Sequence, residues 1–321
     1  MRKILKWAGI VILALLAGFT TVVYFMQAKK YDAPYPDIHA STDSGIIARG
    51  RYLVSGPAHC ADCHAPASEY TLVEKGKVAN LSGGREFKLP IGLMHTPNLT
   101  SDKETGLGNW DDKVIARSLR YGVGYDGRAL FAFMPFQNMS DEDLTAIISY
   151  LRTLPAVNNK VQVRSLNPLG YIAKAFLIKP IGPDGTPVTT IKPDTTVQYG
   201  EYIANNISNC RGCHTNRDLK TGAFIGKFFA GGFHLESPID PEHFECVTPN
   251  ISPDPKTGHI KNWTEDIFVN RFRQGKIIPH SAMPWGPFKN MSDVELKAIY
   301  KFLQTVPAVE NNPGPVLVEK K

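Results

Sequence analysis

A long apolar run marks the start of the chain. Residues 7–26 read WAGIVILALLAGFTTVVYFM without a charged side chain, and about 20 apolar residues are enough for a helix to cross a bilayer. Arg2, Lys3 and Lys6 precede the run, which predicts that this end stays in the cytoplasm. A cleaved signal peptide is the alternative, but the run is long for one and no good A-x-A site follows it. We therefore predict that residues 1–30 form a membrane anchor and that the rest of the chain is exported.

Beyond the anchor, the apolar positions predict three helices that occur twice. One face of the first middle helix carries Val114, Ile115 and Leu119 at helical spacing, and Pro155 and Pro307 end the last pair of helices. Strand patterns are sparse, so we predict an all-α fold. The predicted helices cover 44–55 and 197–206, begin at 110 and at 263, and cover 141–153 and 293–305.

These helices belong to an internal repeat. Short motifs recur in the same order and at nearly the same spacing, which a duplication explains far better than chance. The repeat predicts a first copy at 44–157, a linker at 158–195, a second copy at 196–309 and a tail at 310–321. The matching motifs are GRYL and GEYI, two Gly-Gly pairs, TPNL and TPNI, two Asn-Trp pairs, two Met-Pro pairs and two NMSD strings.

Each copy contains one C-x-x-C-H pentapeptide. This is the attachment signature of c-type haem: the two cysteines form thioethers with the vinyl groups, and the histidine ligates the iron. The adjacent histidine argues against a redox dithiol or a disulfide, and a zinc site would have to pool two distant motifs. We therefore predict two covalently attached haems c. Their attachment residues and proximal ligands are Cys60, Cys63 and His64 in the first copy and Cys210, Cys213 and His214 in the second.

The second axial ligand of the haem iron decides the function. An iron with both axial positions occupied by protein side chains transfers electrons, whereas an iron with one open position can bind and convert small molecules. In each copy one methionine precedes a proline in a loop, and another precedes a Ser-Asp pair that can cap the last helix. A hydrophobic staple explains the second kind, Met139 and Met291, without a haem. We therefore predict that Met134 and Met283 are the distal ligands. Loop histidines are the alternatives, and His280 is the most serious of them.

The charge distribution argues against a nucleic-acid partner, and the fifth cysteine has a structural interpretation. The net charge of +6 is concentrated largely on the flanks of the anchor, and no basic stripe points to a nucleic-acid partner. Cys246 has no cysteine left to pair with, so we expect it to be a small buried hydrophobic residue.

The C-x-x-C-H, the TPN turn, the Asn-Trp helix start and the MP…NMSD ending together resemble the class I cytochrome c domain. More closely, they resemble the haem modules of cytochrome subunits in bacterial membrane-bound alcohol, aldehyde and sugar-acid dehydrogenases. The resemblance implies two tandem class I domains, His/Met ligation, a periplasmic location and electron delivery towards quinone or a terminal oxidase. The chain differs from those subunits in two respects: they usually have three C-x-x-C-H motifs, and their anchor tends to be C-terminal.

The sequence thus predicts an electron carrier and not an enzyme. It would lie in the bacterial inner membrane with its haem domains in the periplasm. It would pass electrons between a dehydrogenase or quinol-oxidising partner and a terminal acceptor. The candidate redox partners are a dehydrogenase subunit, a cytochrome bc-type complex and a terminal oxidase. A dihaem enzyme of the peroxidase or thiosulfate-oxidising type is the alternative, but it needs an open iron and both copies keep their Met-Pro.

Overall fold

The structure, a computed structural model, describes residues 1–131, 133–162, 164–218 and 223–320. Its first helix, α1 (Arg2–Met26), is exposed along nearly its whole length, and Val23 is its one buried residue. By length and composition α1 is able to cross a membrane, with a mean hydropathy of 2.3 in its most apolar window. A signal sequence has the same two properties.

Five helices form the first copy: α2 (Ser44–Ser55), α3 (Cys60–His64), α4 (Tyr70–Glu74), which follows a 3-10 turn, α5 (Asp112–Tyr121) and α6 (Asp141–Thr153). The predicted bounds of α2 and α6 are confirmed. Each follows an N-cap, Asp43 or Ser140, whose side chain accepts backbone N–H groups of the first turn. The middle helix begins two residues later than predicted because Asp111 is its N-cap.

The linker contains α7 (Pro168–Phe176), and the second copy repeats the helices of the first. They are α8 (Val197–Tyr202), continued by a π-helical turn at Ile203–Ile207, α9 (Cys210–Cys213), α10 (Glu265–Arg273), α11 (Trp285–Phe288) and α12 (Asp293–Leu303). Ser292 and Glu295 form the full capping box that the sequence predicts for α12. Its counterpart at the start of α6 is half formed: the Ser140 side chain accepts the Asp143 N–H, but the Ser140 N–H donates to Tyr202 and not to the Asp143 carboxylate.

The prediction of an all-α fold is wrong, because each copy also carries a three-stranded antiparallel sheet. The first consists of β1 (Glu86–Leu89), β2 (Gly92–His95) and β3 (Arg164–Leu166), and the second of β4 (His234–Glu236), β5 (Phe244–Val247) and β6 (Leu317–Glu319). β3 comes from the predicted linker and β6 from the predicted tail, whose last residue, 321, lies outside the described residues. Strands of three or four residues are too short for alternation of apolar and polar positions to reveal them.

In both copies the first and last helices cross at close range. A Cβ atom placed on Gly50 would lie 1.8 Å from the carbonyl oxygen of Ala146, and one on Gly200 would lie 2.0 Å from that of Ala298. Only glycine permits such an approach of two helix backbones. The two crossings bury the core of each copy, including Leu53, Leu144 and their counterparts Ile203 and Leu296.

The two copies are joined by tyrosines that reach into each other's helix starts. The Tyr52 hydroxyl of α2 donates to Glu295 and accepts the backbone N–H of Ser292 at 2.8 Å. Reciprocally, the Tyr202 hydroxyl of α8 donates to Asp143 at 2.8 Å and accepts the backbone N–H of Ser140 at 3.0 Å. Each tyrosine thus satisfies an N-terminal helix donor of the other copy.

Arg49 completes this joint between the copies. Its Nε lies 2.9 Å from Asp143 Oδ1 in the first copy, and its Nη1 lies 3.4 Å from Glu295 Oε1 in the second. Both carboxylate side chains are more than nine-tenths buried. One guanidinium therefore neutralises acidic groups of both copies in the same buried place.

Candidate haem centres

The C-x-x-C-H pentapeptides lie on short helices that begin with an unusual backbone turn. His59 before α3 and Asn209 before α9 both adopt left-handed conformations, at φ 39° and 55°. Polar residues of this kind tolerate that region better than most. The Asn209 side chain occupies the space beside Gly212, where a Cβ would lie 1.9 Å from Asn209 Oδ1. The turn fixes the direction in which each cysteine pair leaves the preceding helix.

A backbone carbonyl fixes the orientation of the histidine in the first copy. His64 Nδ1 donates to the carbonyl oxygen of Pro97 at 3.0 Å, which leaves Nε2 as the nitrogen available to a metal. Gly83 makes this approach possible: its N–H donates to the His64 carbonyl at 2.8 Å, and a Cβ there would lie 2.6 Å from the Pro97 oxygen. Burial lowers the pKa of His64 and the bond to Pro97 opposes this only in part, so the imidazole is held neutral, as a ligand must be.

The second copy repeats this arrangement. His214 Nδ1 lies 3.0 Å from the Pro249 carbonyl oxygen, and the Gly231 N–H donates to the His214 carbonyl at 2.8 Å. Burial lowers the pKa of His214 to about 4. The Gly-Gly and TPN repeats of the sequence are therefore explained by one function, which is to bring a proline carbonyl to the imidazole.

The asparagine of each TPN motif ties that loop to the segment that follows the last helix of its copy. Asn98 is 2% exposed; its Nδ2 donates to the Val157 carbonyl at 2.8 Å and its Oδ1 accepts the Thr100 N–H at 2.9 Å. Asn250 makes the same bonds to Val309 and Ser252. The sequence shows these motifs as repeats, whereas this role of the asparagine is visible only in the long-range contact to Val157.

Replacing Asn98 by Ala is expected to lower the free energy of unfolding by about 2 kcal/mol, because buried backbone groups lose their partners. Denaturant unfolding of the detergent-solubilised protein measures it. Asn270, exposed on α10, gives the matched control: Asn270→Ala should change stability by less than about 0.5 kcal/mol. Equal effects at the two positions would show that the anchor of the TPN loop is unimportant.

The cysteines of both pentapeptides are free thiols. All five lie in the described part of the chain, and none is in a disulfide. Burial raises the pKa of Cys60, Cys63 and Cys210 to about 12 in each case, which keeps these thiols protonated and unreactive towards oxidation. Among the described residues, no group of three or more His, Cys, Asp and Glu side chains is arranged to hold a metal ion. A thiol pair beside a carbonyl-bound neutral imidazole fits a covalently held haem.

The two kinds of methionine differ in burial. Met139 and Met291 are 0% and 1% exposed in the core next to the N-caps of α6 and α12, as a hydrophobic staple requires. Met134 and Met283 lie half-buried in loops against the core. The competing His280 has a different environment: its Nδ1 is 3.1 Å from Ser237 Oγ, and its ring stacks on Phe244 at 4.1 Å.

The two candidate centres are neighbours. The His59 ring packs edge-on against Phe288 of α11 at 5.3 Å. α11 also packs closely against α4. A Cβ on Gly286 of α11 would lie 2.0 Å from the Val73 carbonyl oxygen of α4. The Met-Pro loop of the second copy thus contacts the attachment region of the first.

Paired cysteines followed by a carbonyl-bound histidine are the attachment features of a c-type cytochrome. In agreement, the family model for cytochrome c matches residues 47–155, so this part of the chain is a cytochrome c domain and the resemblance is confirmed. The family implies a covalently bound haem c and electron transfer as its function.

Several relatives of this chain are cytochrome c subunits of dehydrogenases or dihaem cytochromes. It is 29% identical to the cytochrome c subunit of the quinone alcohol dehydrogenase of Gluconobacter oxydans over 83% of its length and 56% of the relative's. It is 38% identical to the gluconate 2-dehydrogenase cytochrome c subunit of Pantoea cypripedii over 83% and 60%. It is also 24% identical to a dihaem cytochrome c-type protein of Cereibacter sphaeroides over 97% and 100%. The chain spans about three fifths of the length of the quinone alcohol dehydrogenase subunits it matches.

Proposed function

We propose that the chain is a dihaem cytochrome c, anchored by α1 and facing the periplasm, that carries electrons from a dehydrogenase or quinol-oxidising partner towards a terminal acceptor. Its two domains would be 44–157 and 196–309. The observation that carries the proposal is the repeated imidazole–carbonyl bond beside a free thiol pair. The dehydrogenase subunits among the relatives support the choice of partner.

The residues of the chain have distinct roles in this function. The cysteine pairs would hold haem, His64 and His214 would ligate from one side, and Met134 and Met283 from the other. Bound haem supplies the one-electron redox chemistry, and His/Met ligation favours a high potential. The joint around Arg49 holds the two copies in one arrangement, and the contact of α11 with α4 keeps their centres close. Electrons would therefore pass between the copies within one rigid molecule.

Exchange of the loop methionines tests the ligand assignment. Met134→Ala and Met283→Ala should each convert one of two low-spin haems to high spin, measured by absorption and electron paramagnetic resonance. Met139→Leu and Met291→Leu, which conserve core volume, are the matched controls and should leave both haems low spin at a cost below about 1.5 kcal/mol. One haem per chain by pyridine haemochrome analysis would refute the dihaem proposal. A high-spin haem in the native protein that turns over peroxide would favour the enzyme instead.

A further inference from the structure

The segment between the two copies exposes an apolar surface that electron transfer does not require. Helix α7 buries its small residues, Gly170, Ala173 and Ala175. Its position is fixed, because the Asn167 side chain donates to the Pro90 carbonyl at 2.9 Å. Large apolar side chains point outwards and are 39% to 58% exposed: Leu169, Tyr171, Phe176, Leu177 and Ile181. A surface of this kind marks a site of interaction.

This surface is continuous with the helix proposed as the anchor. α7 packs against α1, where the rings of Phe19 and Phe176 stack with their centroids 6.4 Å apart. Nearer the end of α1, Lys174 Nζ donates to Gln27 Oε1 at 2.9 Å. The chain that leaves α1 is also tied to the first copy, since the Tyr31 N–H donates to the Gly127 carbonyl at 2.7 Å.

The register of α1 fixes the depth of α7. Phe19 lies seven residues before Met26, which corresponds to about 10 Å along the helix. If residues 7–26 fill the apolar layer, Phe176 lies about 10 Å inside its outer boundary, within the depth at which interfacial helices are buried. Lys174, at the level of Gln27, then lies at the boundary itself, where a lysine can extend its ammonium group into water.

We propose that α7 and residues 177–181 form a second membrane contact, inserted into the outer leaflet beside α1 with lipid acyl chains as its partner. The proposal rests on the anchor role of α1. Ile181 lines a small cavity together with Met134 and Phe131. The second contact would therefore place the Met-Pro loop of the first copy on the membrane side.

Photo-crosslinking of the full-length holoprotein in lipid vesicles tests this inference. Leu15→Cys in α1, Leu177→Cys and Ile267→Cys are each labelled with benzophenone maleimide. Leu177 and Ile267 are 58% and 46% exposed, so Ile267 in the second copy is the matched control. The native Cys246 is only 4% exposed, which limits background labelling. After illumination, mass spectrometry separates lipid adducts from protein adducts.

We expect lipid adducts at Leu15 and Leu177 and none at Ile267. A lipid adduct at Leu15 with a protein adduct at Leu177 would overturn the proposal. An adduct of twice the chain mass would assign the surface to a second copy of the protein, and any other mass to a different subunit. Absence of lipid adducts at Leu15 would refute the anchor and with it the second contact. None of these outcomes alters the haem spectra that test electron transfer.

Discussion

Replacing Arg49 by methionine is expected to lower the free energy of unfolding by about 3–5 kcal/mol, because it leaves two buried carboxylates without their counter-charge. Asp143 and Glu295 belong to different copies, and their side chains are only 8% and 1% exposed. Burial opposes the charge of Arg49, but Asp143 above all, with Tyr199 and Glu295, raises its pKa above the ordinary value. The guanidinium is therefore charged at every pH at which the protein is folded.

Denaturant unfolding of the solubilised holoprotein measures this loss. Arg51→Met is the matched control, since Arg51 lies two residues away on α2 and is exposed; it should change stability by less than about 0.5 kcal/mol. Adding Glu295→Gln to Arg49→Met should recover part of the loss, because one uncompensated charge is removed. Arg49→Met and Arg51→Met of equal stability would contradict a role for the buried charge.

The hydrogen bonds of the joint require the hydroxyl groups of Tyr52 and Tyr202 to be protonated. Burial and the charge of Asp143 raise the pKa of Tyr202 well above its ordinary value, and burial and Glu295 do the same for Tyr52. Each hydroxyl can therefore both donate to a carboxylate and accept a helix N–H across the neutral and alkaline range. These two pairs of hydrogen bonds between the copies therefore persist in this pH range.

Local signals in the sequence are sufficient to predict the helices that form the joint between the two copies. The Ser140 N-cap and the following Asp-Glu-Asp define the start of α6, and Pro155 comes two residues after its end. The capping interpretation also separated the two kinds of methionine, and Met139 and Met291 are indeed buried in the core. Such features depend on residues within one or two helical turns of each other.

Features that depend on distant residues were not predicted. β3 pairs with β2 about 70 residues away, and its three residues show no alternation of their own. The joint connects Tyr52 to Glu295, and no pattern near Tyr52 in the sequence predicts that partner. The proline carbonyls that orient the histidines are likewise 33 and 35 residues from their imidazoles. The internal repeat indicates that these positions are important. Their contacts, however, can be identified only in the folded structure.

The helix crossing of the first copy should tolerate no side chain at position 50. Gly50→Ala is expected to lower the free energy of unfolding by more than about 3 kcal/mol. The new Cβ would lie 1.8 Å from the Ala146 carbonyl oxygen and 2.8 Å from Tyr150 Cβ. Because the first of these atoms is backbone, no rotamer change relieves the overlap, and α2 and α6 must move apart. Unfolding followed by far-UV circular dichroism measures the loss.

Gly45→Ala is the matched control, since Gly45 is an exposed residue of the same helix and a Cβ there meets only the Asp43 side chain, at 3.1 Å. Alanine is the better helix former, so this variant should be within about 1 kcal/mol of the native protein. Gly200→Ala repeats the test in the second copy, where the backbone contact is 2.0 Å. If both core variants matched Gly45→Ala, the first and last helices could not cross as closely as the duplicated glycines imply.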